Sequence, residues 1–315
     1  MDLNSGKPIE ITDKDLFDRY LKKYPPYISE FTFTNLFMWR NYYNFFFIEY
    51  KEHIILFSYD YLKDRKKPIN TDSKNYIYMF PPIGPNPDNI ILELFEAIGN
   101  LEIHRVPEDI CVILKKNDKF SKLNLECIED HNNWDYVYDK EEITNLVGNK
   151  YRQNRRWLQK FISSYNYEFQ LLTGNLVEKC KELQLEWCIM RACTEDESLE
   201  AEQNAIYEAL NNFDILGFSG GLLCVDNKCA AYTFGEMLNE TTLVIHIEKA
   251  HMEYEGSYQA INNFFLKNCC TNATYVNREQ DLGIEGLRRA KESYKPIRMV
   301  KKNIIFQRKR ENKTQ

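Results

Sequence analysis

Apolar and polar positions along this chain of 315 residues recur with two periods, and the changes of period mark its elements. Residues 12–24 place Leu16, Tyr20 and Leu21 on one helical face, with Thr12 as N-cap and Pro25 and Pro26 as the stop. Residues 43–50 and 53–59 are aromatic and β-branched runs around Lys51 and Glu52, the pattern of a hairpin. Residues 60–74 read as a charged loop, 76–80 as a strand, 88–99 as a helix and 110–114 as a strand. The polar stretch at Asn132 and Asn133 sets the expected boundary between an N-terminal domain, 1–133, and a C-terminal domain, 134–315.

The second half has the clearer rhythm. A helix is expected over 141–161 and a strand over 167–172, then helices over 176–191 and 195–213. Three strands follow in quick succession, 215–225, 229–237 and 241–248, joined by tight polar turns. Helix 258–268, strand 273–276, helix 284–293 and strand 297–306 complete the chain. A helix pair, a three-strand meander and crossover helices make an α+β architecture with helices covering a mixed sheet.

That order is the one used by the GNAT acyltransferase superfamily. The segments 33–40 (FTNLFMWR), 148–161 (GNKYRQNRRWLQKF), 247–262 (IEKAHMEYEGSYQAIN) and 276–296 (VNREQDLGIEGLRRAKESYKP) resemble the DUF2156 family. This is a bacterial family of GNAT-like proteins related to the C-terminal domain of phosphatidylglycerol lysyltransferase. The resemblance implies two tandem GNAT-like domains, the first degenerate, as in the Fem peptidyltransferases, which take amino acids from aminoacyl-tRNA. It implies an acyltransferase with no tightly bound cofactor and with aminoacyl-tRNA or acyl-CoA as co-substrate. The acceptor would be a small molecule, a peptide or a lipid head group.

Composition narrows these expectations. Aromatics form 14% of the chain, so its main state is folded. No apolar run approaches the roughly 20 residues that cross a bilayer, and the first ten residues do not read as an export signal. Nine cysteines without a CxxC pair read as buried thiols of a cytoplasmic protein. The formal charge of −6 disfavours anionic partners, but it is unevenly spread. Residues 1–135 hold 17 cations against 22 anions, and the remainder 24 against 25.

Four segments can carry chemistry. Residues 146–161 contain Lys150, Arg152, Arg155, Arg156 and Lys160 without an acid, and residues 295–310 are a second acid-free basic stretch. Either these cations grip phosphates of tRNA, CoA or a lipid head group, or they form solvated faces. Gly256 and Tyr258 fall where acyl-CoA enzymes carry a pyrophosphate loop. Glu253 and Glu255 there repel a pyrophosphate, which favours another donor, and a plain turn is the alternative. Period-2 alternation puts His246 and Glu248 on one strand face, where Glu248 can serve as general base or as a structural ion pair. Finally, Asn277, Arg278, Glu279, Gln280 and Asp281 follow a short strand. Asn277 and Arg278 can recognise a donor, and Glu279 and Asp281 can bind an amine or relay its proton. Helix capping is the competing role for Asp281. The expected reaction is aminoacyl transfer to an amine or hydroxyl by direct attack. The alternatives are an acyl-CoA-dependent N-acyltransferase and a non-catalytic binding protein on the same scaffold.

Overall fold

The structure, a computed structural model, describes residues 1–64, 69 and 76–308, apart from the side chains of residues 63 and 64. The chain forms two compact units. The first comprises Met1–Ile28, Arg40–Trp134 and the segment from Val300 onward, and the second comprises Ser29–Trp39 and Asp135–Met299. The excursion of Ser29–Trp39 into the second unit and the return at Val300 are features that local pattern does not show.

In the first unit, β1 (Lys7–Pro8) pairs with β2 (Phe46–Tyr50), which forms the expected hairpin with β3 (His53–Ser58). Lys51 and Glu52 make the turn, both with positive φ. Strand β4 (Ile77–Met79) pairs antiparallel with β3 and parallel with β5 (Leu101–Pro107), the crossover being helix α1 (Pro87–Ala97). The expected strand at 110–114 is instead helix α2 (Glu108–Lys115). Acids Glu108 and Asp109 occupy its first turn, and Cys111 and Leu114 bury one stripe while Val112 and Ile113 stay exposed. The β-branched run is thus helical by context. Strand β6 (Leu125–Glu129) was not expected.

The second unit opens with another strand that pattern did not mark, β7 (Asp135–Asp139). The single helix expected over 141–161 is two, α3 (Lys140–Asn145) and α4 (Arg152–Ser164), because Leu146 and Gly148 take positive φ between them. Strand β8 (Tyr167–Leu171) and helices α5 (Val177–Arg191) and α6 (Glu197–Asn211) match their expected positions. The meander is β9 (Ser219–Val225), β10 (Lys228–Met237) and β11 (Thr242–Ala250). Helix α7 (Ser257–Asn268) crosses to β12 (Tyr275–Asn277), which runs parallel to β11, and α8 (Glu285–Ser293) follows.

The expected last strand is divided. Arg298–Val300, β13, closes the second sheet, whose order is β13-β7-β12-β11-β10-β9-β8. Lys302–Gln307, β14, enters the first sheet, whose order is β1-β2-β3-β4-β5-β14-β6. Each sheet therefore carries a meander, then a parallel pair joined through one helix, then a strand from a distant part of the chain. Each unit has its own core. Phe57, Met79, Ile91 and Ile305 belong to the first, and Tyr138, Phe161, Ile261 and Phe265 to the second. Four of the nine cysteines, read from sequence as thiols, are paired: Cys111 with Cys127 and Cys188 with Cys193.

Candidate active site

The parallel strands β11 and β12 stay in register only from Thr242/Tyr275 to Val244/Asn277, after which β11 continues to Ala250. β12 ends at Asn277, and in the opening left beside β11 the side chains of β11 meet those of the loop after β12. A β-bulge shapes β11 at this point. Phe234 faces Ile247 and Gly235 faces Ile245, so His246 is the extra residue. A Cβ on Gly235 would lie 2.1 Å from the Val244 carbonyl oxygen, so the close approach requires glycine. The bulge also reverses side-chain parity. Leu243 and Ile245 before it, and Ala250 after it, belong to one core. His246 and Glu248 therefore do not share a face in the way simple alternation predicts, and among the described residues their hydrogen-bond partners differ.

His246 lies between two carboxylates, its Nε2 3.0 Å from Glu236 and its Nδ1 2.9 Å from Glu279. Burial opposes its charge, but the two carboxylates prevail and raise its pKa to about 9. It is therefore an imidazolium at neutral pH. Glu236 lies below the usual carboxylate range: burial opposes its ionisation, and His246 outweighs that. Glu279 lies above the range, because burial exceeds the help it receives from His246. The helix Phe33–Met38 supports this trio: Thr32 approaches His246 at 3.3 Å, and Asn35 donates to Glu279 at 3.1 Å.

Glu248 forms a second bridge across the opening. Its Oε1 accepts from Arg278 at 2.8 Å and its Oε2 from Asn262 of α7 at 3.0 Å. The Arg278 guanidinium also lies 4.8 Å from the Tyr294 ring centre. Its Nη1 is buried without a hydrogen-bond partner among the described residues, as is Oδ1 of Asn262. Two unsatisfied polar atoms beside one buried ion pair offer a donor and an acceptor to a ligand.

The loop after β12 is tied at every residue. Asn277 donates to Asp135 at 3.0 Å, and Ser29 is bonded to the same carboxylate. Gln280 donates to Glu30 at 2.7 Å. Asp281 accepts from the Tyr136 hydroxyl, from Arg288 at 2.7 Å and from the Gly283 N–H at 2.8 Å. Burial disfavours its charge, but these donors hold its pKa below the ordinary value. Asp281 thus braces the loop and holds Arg288 of α8, whose N-cap is Ile284 with no side-chain cap hydrogen bond.

The basic helix is more engaged than its acid-free sequence implies. Lys150 pairs with Glu142, Arg155 donates to the carbonyls of Leu146 and Gly148, and Lys160 pairs with Glu255. Arg152 and Arg156 are exposed, with no ion pair among the described residues. The second basic stretch is divided between the units. Lys302 is fully buried, Lys301 pairs with Glu108, and residues 309 and 310 lie outside the described residues.

The segment around Gly256 is not arranged as a phosphate loop. Gly256 has φ +84°, and a Cβ there would lie 2.2 Å from the Trp157 carbonyl oxygen. The glycine permits helix contact, and the Tyr165 hydroxyl accepts the Glu255 N–H. The Tyr258 hydroxyl sits by Trp187 and the Ala250 backbone.

A cavity of about 360 Å³ is lined by first-unit residues such as Tyr76, Lys122 and Arg308, so it is no part of this site. No metal-binding cluster occurs among the described residues. Burial pushes up the thiols of Cys180, Cys224, Cys229, Cys269 and Cys270, which removes thiolate character. Sequence reasoning missed Glu236, Asn262, Tyr136 and Lys291. Glu236 and Tyr136 lie on strands and Asn262 and Lys291 on helices, so only sheet pairing and helix packing together bring them to the site.

The family model described as phosphatidylglycerol lysyltransferase, C-terminal, matches residues 21–306. A conserved protein of unknown function from Bacteroides thetaiotaomicron is 28% identical, with 96% of this chain and 99% of that chain covered and a TM-score of 0.84. The C-terminal domain of a putative lysylphosphatidylglycerol synthetase from Agrobacterium fabrum has 10% identity over 94% of this chain and 92% of that chain, with a TM-score of 0.65. FemX has 10% identity over 95% and 96%, with a TM-score of 0.54. The last two are likenesses of fold. Among the described residues no helix is long and apolar enough to cross a membrane.

Proposed function

The chain belongs to the phosphatidylglycerol lysyltransferase C-terminal family, and from that premise we propose that its second unit transfers an aminoacyl group to an amine or hydroxyl acceptor. The observation that carries this reading is the pair of ion bridges, Glu248–Arg278 and His246–Glu279, across the opening between β11 and β12. The acceptor attacks the ester carbonyl directly. A C–N or C–O bond forms, the ester C–O bond to the donor breaks, and the acceptor's proton passes to the leaving hydroxyl. Glu279, bridged to His246 and with its proton affinity raised by burial, accepts that proton and passes it on. The unpartnered Nη1 of Arg278 steadies the carbonyl oxygen as it gains charge. Glu248 and Asn277 orient groups, and Asp281 maintains the loop.

Aminoacyl-tRNA is favoured over acyl-CoA as donor, because the Gly256 segment packs on α4 and carries Glu253 and Glu255. Exposed Arg152 and Arg156 are the cations free to meet a tRNA backbone. The test is filter binding of purified protein to a mixed pool of charged tRNA, beside a titration with acetyl-CoA. Binding of charged tRNA that weakens at least tenfold in R152E/R156E supports the reading. Saturable micromolar CoA binding without tRNA binding turns it to an N-acyltransferase. Unchanged biological activity in E248Q and E279Q turns it to a non-catalytic binding protein.

A further inference from the structure

Helix α8 has no buried residues, yet two of the side chains it directs at the protein are cations. Arg288 meets Asp281. Lys291 donates to the carbonyl of Arg278 at 2.5 Å and to that of Gln280. Those two carbonyls flank Glu279, which takes φ +55°. A left-handed conformation in a non-glycine residue is strained and persists only where its surroundings hold it. Here the Glu279 N–H donates to Asn277 Oδ1 at 2.8 Å, and its carbonyl accepts from the Tyr136 N–H at 3.2 Å. Lys291 secures the peptide on either side. The turn it holds sends Arg278 towards Glu248 and Glu279 towards His246.

We infer that Lys291 is a positioning residue, which clamps the carbonyls of Arg278 and Gln280 and so sets both ion bridges at once. It touches neither Glu248 nor His246 and acts through the backbone. This rests on the reading of the opening as the reactive site, but its test does not require turnover.

The probe is the His246 imidazole, followed by NMR in ¹⁵N-histidine-labelled protein and assigned by its loss in H246N. The groups facing it are Glu236 from β10, Glu279 from the loop and Thr32. In the wild type Glu236 and Glu279 raise its pKa to about 9, so a midpoint near there is expected. K291M removes the clamp, the turn relaxes, and Glu279 withdraws, so the midpoint falls by one pH unit or more. K291R, which still donates to carbonyls, restores most of it. A folded K291M with an unchanged His246 titration overturns the inference. If K291M fails to fold, amide exchange at residues 278–281 of the wild type is followed as pH rises through about 8, where burial places the Lys291 amine. Loss of protection there, beyond that of control loops, supports the clamp, and unchanged protection refutes it. A wild type that transfers nothing would sink the aminoacyl reading and leave the His246 shift intact.

Discussion

Replacing Glu248 by alanine removes the anion from a pair whose side chains are 12% and 11% exposed and 2.8 Å apart. Arg278 is left with the faces of Tyr138 and Tyr294, at 6.0 and 4.8 Å, and no carboxylate among the described residues. Asn262 Nδ2 loses its acceptor as well. Breaking a buried pair from one side costs about 3–5 kcal/mol, because the remaining charge stays desolvated. At roughly 2–4 °C per kcal/mol, the transition of the second unit should fall by about 6–20 °C in calorimetry. Removing Arg278 too should cost less than the two single losses together, with a coupling of about 1–3 kcal/mol. A fall under about 1 kcal/mol for Glu248→Ala, or strict additivity in the double variant, would show that water already screens the pair. The bridge would then hold nothing in place.

Further outcomes follow from the same geometry. Gly256→Ala should destabilise by roughly 2–4 kcal/mol in thermal melts, since a Cβ meets the Trp157 carbonyl at a positive φ. A neutral result would mean that the loop can move away from α4. Asp281 has a lowered folded pKa, so its contribution to stability is present above the unfolded value of about 3.9 and is lost as pH falls through the folded one. Wild type and Asp281→Asn should therefore differ at pH 7 and converge towards about pH 2, as read by denaturant titration. Persistent separation at low pH would count against the carboxylate as the cause. Alkylation in denaturant without reductant should modify five of the nine cysteines, and all nine after reduction. Nine modified before reduction would contradict both pairings.

Much of the scaffold was legible before any tertiary contact. The hairpin at Lys51–Glu52, the helices Val177–Arg191 and Glu197–Asn211, and the meander β9–β11 each follow from local period and turn residues. So did the polar loop at 277–281, because a run of polar residues after a short buried strand is unusual in a plain connection. The errors have one physical origin. Residues 110–114 include the β-branched Ile110, Val112 and Ile113, but only Cys111 and Leu114 of the run are buried, a helical spacing of three, so the run packs as a helix. The strand expected over 297–306 is one extended run with Lys301, Lys302 and Asn303 in its middle, and nothing local says that its two ends join different sheets.

The site divides in the same way. Sequence determined which side chains were available: Glu248, Arg278, Glu279 and Asp281, with glycines at 235 and 256. Tertiary structure decided what each one does. A single bulge at His246 reversed the alternation of β11, set the imidazole between Glu236 and Glu279, and left Glu248 to Arg278. Acid-free basic runs were read as free cations, yet Glu142 and Glu255 arrive from other elements to neutralise two of them. Periodicity is a property of a few neighbouring residues, so it is written locally. Pairing across a sheet, and the burial that sets charge states, depend on residues a hundred or more positions away, and only the folded chain brings those together.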